Sequence, residues 1–229
     1  MISALGLMLF TGAAQAEEPA VTAPHPQHQP VAQAVAPAVA RLMAAAPKAR
    51  LMVIPFNGAP AQITGLKVAT QGADHEARAR DFLARFPVLP AQAGELELVD
   101  VRAVAGRHSV MFRQTHGGLP VWERSAVITL NDAGDVVSLT SSLVAVRGVR
   151  VGAVSEQEAR LKAARAVFGA KADASVTKQA ARAIVAQQTS DADQVWIVSL
   201  SPTADMLRPL AIVSAATGEV LMVRDHSAR

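Results

Sequence analysis

Cysteine and tyrosine are absent from this chain of 229 residues, and aromatic residues make up only 3% of it. Without cysteine the chain cannot form a disulfide framework, a thiolate zinc site, a thiol nucleophile or a lipid-modified cysteine anchor. Its few phenylalanines and two tryptophans are too sparse for the stacking platforms that bind single-stranded nucleic acids. A folded domain of this composition must therefore depend on its hydrophobic core for stability.

Charge is also scarce, because charged residues account for 18% of the chain and the net charge is +3. The positive residues are mostly arginines, and they are scattered along the sequence. Nucleic-acid binding requires a clustered basic face, so no nucleic-acid partner is expected. The hydrophobic fraction of 51% is too high for a wholly disordered protein.

The first 16 residues have the pattern of a secretory signal peptide with cleavage after Ala16. The apolar stretch from Ile2 to Phe10 is too short to span a bilayer. No lysine or arginine precedes it, so an ordinary buried helix remains the alternative. With a signal peptide, the mature protein is expected to be secreted or periplasmic. No later segment reaches 18 consecutive apolar residues, so no membrane span is expected after cleavage.

Residues 17–47 are rich in proline, alanine and glutamine. Proline fixes the backbone φ angle and removes a hydrogen-bond donor, so we expect an extended, solvated linker here. His25 and His28 lie in this tract, where two histidines usually contribute only polarity. No metal site and no cofactor are predicted.

The rest of the chain contains the same order of elements twice. In residues 48–150, an amphipathic helix beginning near Asp74 and ending before Pro87 is followed by alternating strands. In residues 151–229, a helix over 155–169 is again followed by strands. The prediction is an α+β fold with two helix-plus-antiparallel-sheet subdomains. Strands are expected at 51–54, 62–68, 95–99, 108–115, 121–130, 136–146, 181–187, 194–200, 210–213 and 220–224, those at 108–146 forming a three-stranded meander.

Catalytic motifs are missing. His75-Glu76 resembles the beginning of the zinc-protease motif HExxH, but Ala79 stands where the second histidine must be. No GxSxG elbow, P-loop or GxGxxG fingerprint is present. We therefore assign no catalytic residue and expect that the chain is not an enzyme. His75, His108 and His116 are interpreted as structural residues.

Residues 107–146 contain, in order, Gln114, the block from Gly118 to Val121, and Asp132 and Gly134 in a turn. Over these residues the chain resembles the fungalysin/thermolysin propeptide (FTP) domain. That family has a strand rich in Arg and Gln near its end, a Gly-Leu-Pro-Val block, a second strand, an acidic glycine turn and a third strand. The helix over 155–169 and the strands after it resemble the PepSY-like half of thermolysin-type precursors. The resemblance covers about residues 70–225. The FTP pattern is matched in order by Gln114, Gly118, Leu119, Pro120, Val121, Asp132 and Gly134.

The resemblance implies a protein partner, a secreted thermolysin-type zinc metallopeptidase that the chain inhibits or helps to fold. Because the sequence ends at Arg229 and carries no peptidase domain, we expect a stand-alone propeptide-like protein. Two alternatives remain open. One is an extracellular or periplasmic module that binds a peptide or protein without controlling proteolysis. The other is a precursor fragment that lacks its peptidase domain.

Two sets of candidate contact residues follow from the resemblance. The motif residues Gln114, Gly118, Leu119, Pro120 and Val121 are interpreted as mainly structural, with partner contact as the alternative. In thermolysin-type precursors the segment after the last strand lies in the active-site cleft. The tail residues Asp225, His226, Ser227 and Arg229 are therefore candidates for the partner's cleft, and Asp225 or His226 is of a type that can bind its zinc. The alternative for the tail is a frayed terminus.

Overall fold

The computed structural model describes residues 29–54, 59–91, 95–146, 148–186 and 191–226. The predicted signal peptide, residues 17–28 of the predicted linker, and Ser227 and Arg229 of the tail lie outside these ranges. Helices and strands follow in the order α1 (Gln29–Ala45), β1 (Arg50–Val53), β2 (Pro60–Val68), α2 (His75–Arg85), β3 (Leu96–Val104), β4 (Arg107–His116), β5 (Leu119–Asn131), β6 (Val136–Ser141), β7 (Gly148–Arg150), α3 (Glu156–Phe168), β8 (Thr177–Ala186), β9 (Asp191–Leu200), β10 (Pro209–Ser214) and β11 (Val220–Asp225).

The linker prediction is wrong over residues 29–45, where the chain forms helix α1. Ala38, Leu42 and Ala46 are buried four residues apart, so they form a single apolar stripe against the core. Alanine is the strongest helix former, and the stripe packs on the sheet although Pro37 lies inside the helix. The helix therefore owes its stability to tertiary packing, which the proline-rich composition did not reveal.

The eleven strands of the described ranges belong to one curled sheet, in the order β1-β2-β6-β5-β8-β9-β10-β11. Strand β4 pairs with β3 and β5, and β7 pairs with β9. Strands β4, β5 and β6 form the predicted antiparallel meander. The α+β class is confirmed. The division into two subdomains stays a prediction, because Val121 of β5 pairs with Ile184 of β8 and joins the two halves of the sheet.

Two hydrophobic clusters contain most of the core. The larger one packs α1 and α2 against β2–β6, with Phe82 and Phe112 fully buried at its centre. The second packs Ala159 and Ala163 of α3 against Trp196 and neighbouring residues of β9 and β10. The later two helices and the strands that they cover thus lie where the sequence periodicity predicts. Among the described residues, no helix is long and apolar enough to cross a membrane.

Both later helices begin with a side-chain N-cap. The carboxylate of Asp74 accepts a hydrogen bond from the amide of Ala77 at 2.7 Å, and the hydroxyl oxygen of Ser155 accepts one from the amide of Glu158 at 3.2 Å. Gly169, with a φ of 92°, follows the last residue of α3. These local signals set the helix boundaries.

Replacing Ser155 with alanine is expected to lower the free energy of unfolding by about 1 kcal/mol, because the Glu158 amide loses its capping acceptor. Urea denaturation measures the change. Gln157→Ala, at an exposed position in the first turn of the same helix, is the matched control and should change stability by less than about 0.5 kcal/mol. Equal losses in the two variants would contradict the capping role.

Candidate partner-binding surface

The candidate surface lies where the pairing between strands β4 and β5 is interrupted. Thr115 pairs with Pro120 and Arg113 with Ser125, so a single β4 residue faces residues 121–124 of β5. We call residues 121–124 the β5 excursion. A strand with extra residues must bend away from its partner. The excursion carries Val121 to its parallel pairing with Ile184 of β8.

Gln114 fills the gap that the excursion leaves. Its side chain is fully buried, and its amide nitrogen donates to the carbonyl of Val144 at 2.7 Å. The amide of Val144 donates in return to the side-chain oxygen of Gln114 at 3.2 Å. These two hydrogen bonds use both the amide and the carbonyl of Val144. Strand β6 accordingly ends at Ser141, and the predicted strand over 136–146 extends too far.

The other motif residues divide between turn, core and surface. Gly118 has a φ of 78°, and the turn that it forms with Gly117 needs this left-handed backbone. Val121 is buried in a small cluster with Ile184, and Leu119 packs against that cluster. Pro120 is half-buried and lines a groove. The motif residues thus lie in the turn, in the core and beside the groove.

The end of β11 is bonded to the body of the protein. The carboxylate of Asp225 accepts hydrogen bonds from the backbone amides of Leu207 at 3.1 Å and Arg208 at 2.9 Å. The backbone amide of His226 donates to the carbonyl of Arg208 at 2.9 Å. Asp225, a candidate zinc ligand from the sequence, thus uses both carboxylate oxygens to hold the loop before β10.

The excursion and the end of β11 meet at Trp122. The His226 ring lies 6.2 Å from the Trp122 ring, and the Arg224 guanidinium lies 5.4 Å from it. Arg224 also forms a two-pronged ion pair with Glu123, in which one bond measures 3.2 Å. The ring contact between Trp122 and His226 therefore places the residue that follows the motif block beside one residue of the predicted tail. Sequence reasoning missed Trp122, Glu123 and Arg224, although a tryptophan directly after the motif block was a visible signal.

Glu123 is held in a backbone conformation that side chains rarely adopt. Its φ is 55°, and the hydroxyl of Ser142 donates to its carbonyl at 3.1 Å. A non-glycine residue in this region costs on the order of 1 kcal/mol or more, so surrounding contacts must compensate. The ion pair with Arg224 and the Ser142 bond are two such contacts.

A groove of about 370 Å³ opens beside the excursion. Its apolar wall includes Pro120, Trp122, Ala183 and Ile197. The exposed Arg113 on its rim pairs with Glu97 at 2.8 Å, and hydrogen bonding to Arg113 lowers the pKa of the Glu97 carboxyl. An apolar wall with a charged rim is the usual composition of a protein-binding surface.

Arg124 is one of the charged residues that line the groove. Its guanidinium donates to the carbonyls of Ser142 at 3.3 Å and Ala186 at 3.1 Å. Burial lowers the pKa of the Arg124 guanidinium, and the nearby Glu123 carboxylate opposes that shift. Within the ranges that the structure describes, no group of three or more metal-ligating side chains is present.

Comparison with known proteins supports the predicted resemblance of this region to the propeptide family. Residues 94–143 match the Fungalysin/Thermolysin Propeptide Motif. Among solved structures, the Bacillus megaterium YpeB C-terminal domain is similar at 12% sequence identity and a TM-score of 0.39, with 84% of this chain and 96% of that chain covered. No curated protein matches the chain. The matched residues comprise strands β3–β6, with the β5 excursion and Gln114.

Proposed function

We propose that the chain is a propeptide-like protein that binds a thermolysin-type zinc metallopeptidase and acts as its inhibitor, its folding chaperone or both. The match of residues 94–143 to the propeptide motif carries this proposal. The proposal includes a secreted or periplasmic location, non-enzymatic action, and an FTP-like subdomain over 48–150 followed by a PepSY-like subdomain over 151–229.

The groove beside the β5 excursion is the proposed contact surface. Trp122 is half-buried, so part of its ring is available to a partner, and Glu123 next to it is exposed. Tryptophan and arginine dominate the energetics of protein interfaces, and both line this groove. Arg224 and His226 at the end of β11 lie beside Trp122, so a partner seated in the groove would also meet them. The groove includes Pro120 and Val121 of the motif set.

The experiment uses the purified mature chain and a thermolysin-type metallopeptidase from the same source. We expect the chain to slow hydrolysis of a peptide substrate, or to raise the yield of active enzyme when the denatured peptidase refolds. A serine peptidase without zinc is the control and should be unaffected. Neither effect on the metallopeptidase would contradict the proposal. Binding without either effect would favour the alternative, a binding module that does not control proteolysis.

Replacing Trp122 with alanine is expected to weaken inhibition by about 30-fold, because losing an aromatic anchor at an interface costs about 2 kcal/mol. The inhibition constant against the metallopeptidase measures the effect. Phe168→Ala is the matched control, since Phe168 is a partly exposed aromatic residue at the end of α3 and does not line the groove. Thermal melts establish that both variants fold. Unchanged inhibition by Trp122→Ala would remove the groove from the contact surface.

A further inference from the structure

Two histidines form a close contact between α2 and the sheet. The ring of His75, the first residue of α2, stacks on the ring of His108 in β4 with centroids 3.8 Å apart and planes inclined by 16°. The Nδ1 atom of His75 is buried and has no hydrogen-bond partner among the residues that the structure describes. A stacked pair of this kind is compatible with neutral rings.

His75 and His108 differ in the charged groups that lie near them. Asp74 and Arg78 face His75 from its own helix side, while Asp132 faces it from the turn after β5. The Asp132 carboxylate lies 3.3 Å from Nε2 of His108, so it can compensate a charge on that ring. The Asp74 carboxylate already accepts the capping hydrogen bond of α2. A charge on His75 therefore lacks a dedicated partner.

Protonation of His75 weakens its contact with His108. Burial lowers the pKa of His75, and His108 and Arg78 lower it further, whereas Asp74 and Asp132 oppose the shift. The positive end of the α2 dipole also disfavours a cation at the first helical residue. The folded state thus binds fewer protons here than the unfolded state. The stability from neutral His75 is present above the ordinary histidine pKa of about 6.5 and is lost as the pH falls below it.

We propose that the His75–His108 stack is an acid-sensitive contact that holds the first turn of α2 on the sheet. A proton on His75 places a positive charge against the face of the His108 ring, and Asp132 retains His108 while His75 moves away. Ala79, Phe82 and Leu83 of α2 cover the larger core cluster. Acid therefore loosens the helix that closes this core, whether or not the chain binds a peptidase.

Amide hydrogen exchange is measured at pH 7.5 and pH 5.0 and corrected for the intrinsic pH dependence of exchange. These measurements test whether acid weakens the His75–His108 contact. We expect protection in α2 to fall several-fold at pH 5.0, while protection in α3 falls much less. His75→Phe keeps an aromatic ring that cannot be protonated, so α2 protection in this variant should be nearly independent of pH. His116→Phe, at a histidine paired with Glu95 at 2.9 Å, is the control and should retain the wild-type response.

A second variant keeps the test decisive if the phenylalanine does not fit. His75→Asn removes both the ring and the charge, so α2 protection should be low at both pH values. Equal protection of wild-type α2 at the two pH values would overturn the proposal. So would a pH response in His75→Phe as large as that of the wild type.

Discussion

Replacing Gln114 with leucine is expected to lower the free energy of unfolding by about 2–6 kcal/mol, because two buried backbone groups lose their partner. Leucine fills most of the same space but cannot bond to the amide and the carbonyl of Val144. Each buried polar group left without a partner costs about 1–3 kcal/mol. Urea denaturation followed by circular dichroism measures the loss.

The matched control for this change is Gln179→Leu. Gln179 is an exposed residue of β8, so its replacement should change stability by less than about 0.5 kcal/mol. Similar stabilities for the two variants would show that the contact with Val144 contributes little. If Gln114 is structural, inhibition by Gln114→Leu should follow the folded fraction of the protein. A fully folded variant without inhibition would instead favour a direct partner contact.

Replacing Gly152 with alanine is expected to cost about 2–4 kcal/mol, through a steric clash and a strained hydrogen bond. A Cβ atom at this position would lie 1.8 Å from the carbonyl oxygen of Ala215 and 2.1 Å from the amide nitrogen of Ala216. The segment must therefore move, and overpacking of this kind costs about 1–3 kcal/mol. The move also strains the hydrogen bond from the Val154 amide to Ala215 at 2.9 Å, which adds about 1 kcal/mol.

Gly148→Ala is the control for the Gly152 substitution. A Cβ at Gly148 meets no atom within 4 Å, and alanine restricts the unfolded chain more than glycine does. This variant should be as stable as the wild type or more stable by about 0.4–1 kcal/mol. Thermal and urea denaturation of the pair isolate the steric effect. Equal stability of the two variants would contradict the close approach of residue 152 to residues 215 and 216.

Sequence reasoning located the elements whose signals are local. The apolar spacing in α2 and the capping pattern at Ser155 predicted the two later helices, because helix periodicity and capping depend on residues within a few positions of each other. Alternation predicted the meander of β4, β5 and β6 for the same reason. The motif block around Gly118 was likewise visible as a short pattern, which the match over residues 94–143 supports.

Helix α1 and the site depended on contacts between distant residues. The burial of Leu42, which the composition of its segment does not show, stabilises α1 against the core. Gln114 bonds to Val144 thirty residues away, and Glu123 pairs with Arg224 across a separation of 101 residues. Such contacts are set by strand register and by the curl of the sheet, which no local pattern specifies.

By itself, the sequence of this protein determined the α+β class, two helices, most strands, the propeptide motif and the two sets of candidate residues. Only the tertiary structure decided that His226 adjoins Trp122, that the Asp225 carboxylate is engaged in the body, and that His75 stacks on His108. The physical reason is that periodicity and caps act over one or two turns of chain. The excursion of β5, and the surface that it creates, exist only when β4, β8 and β11 are folded around it.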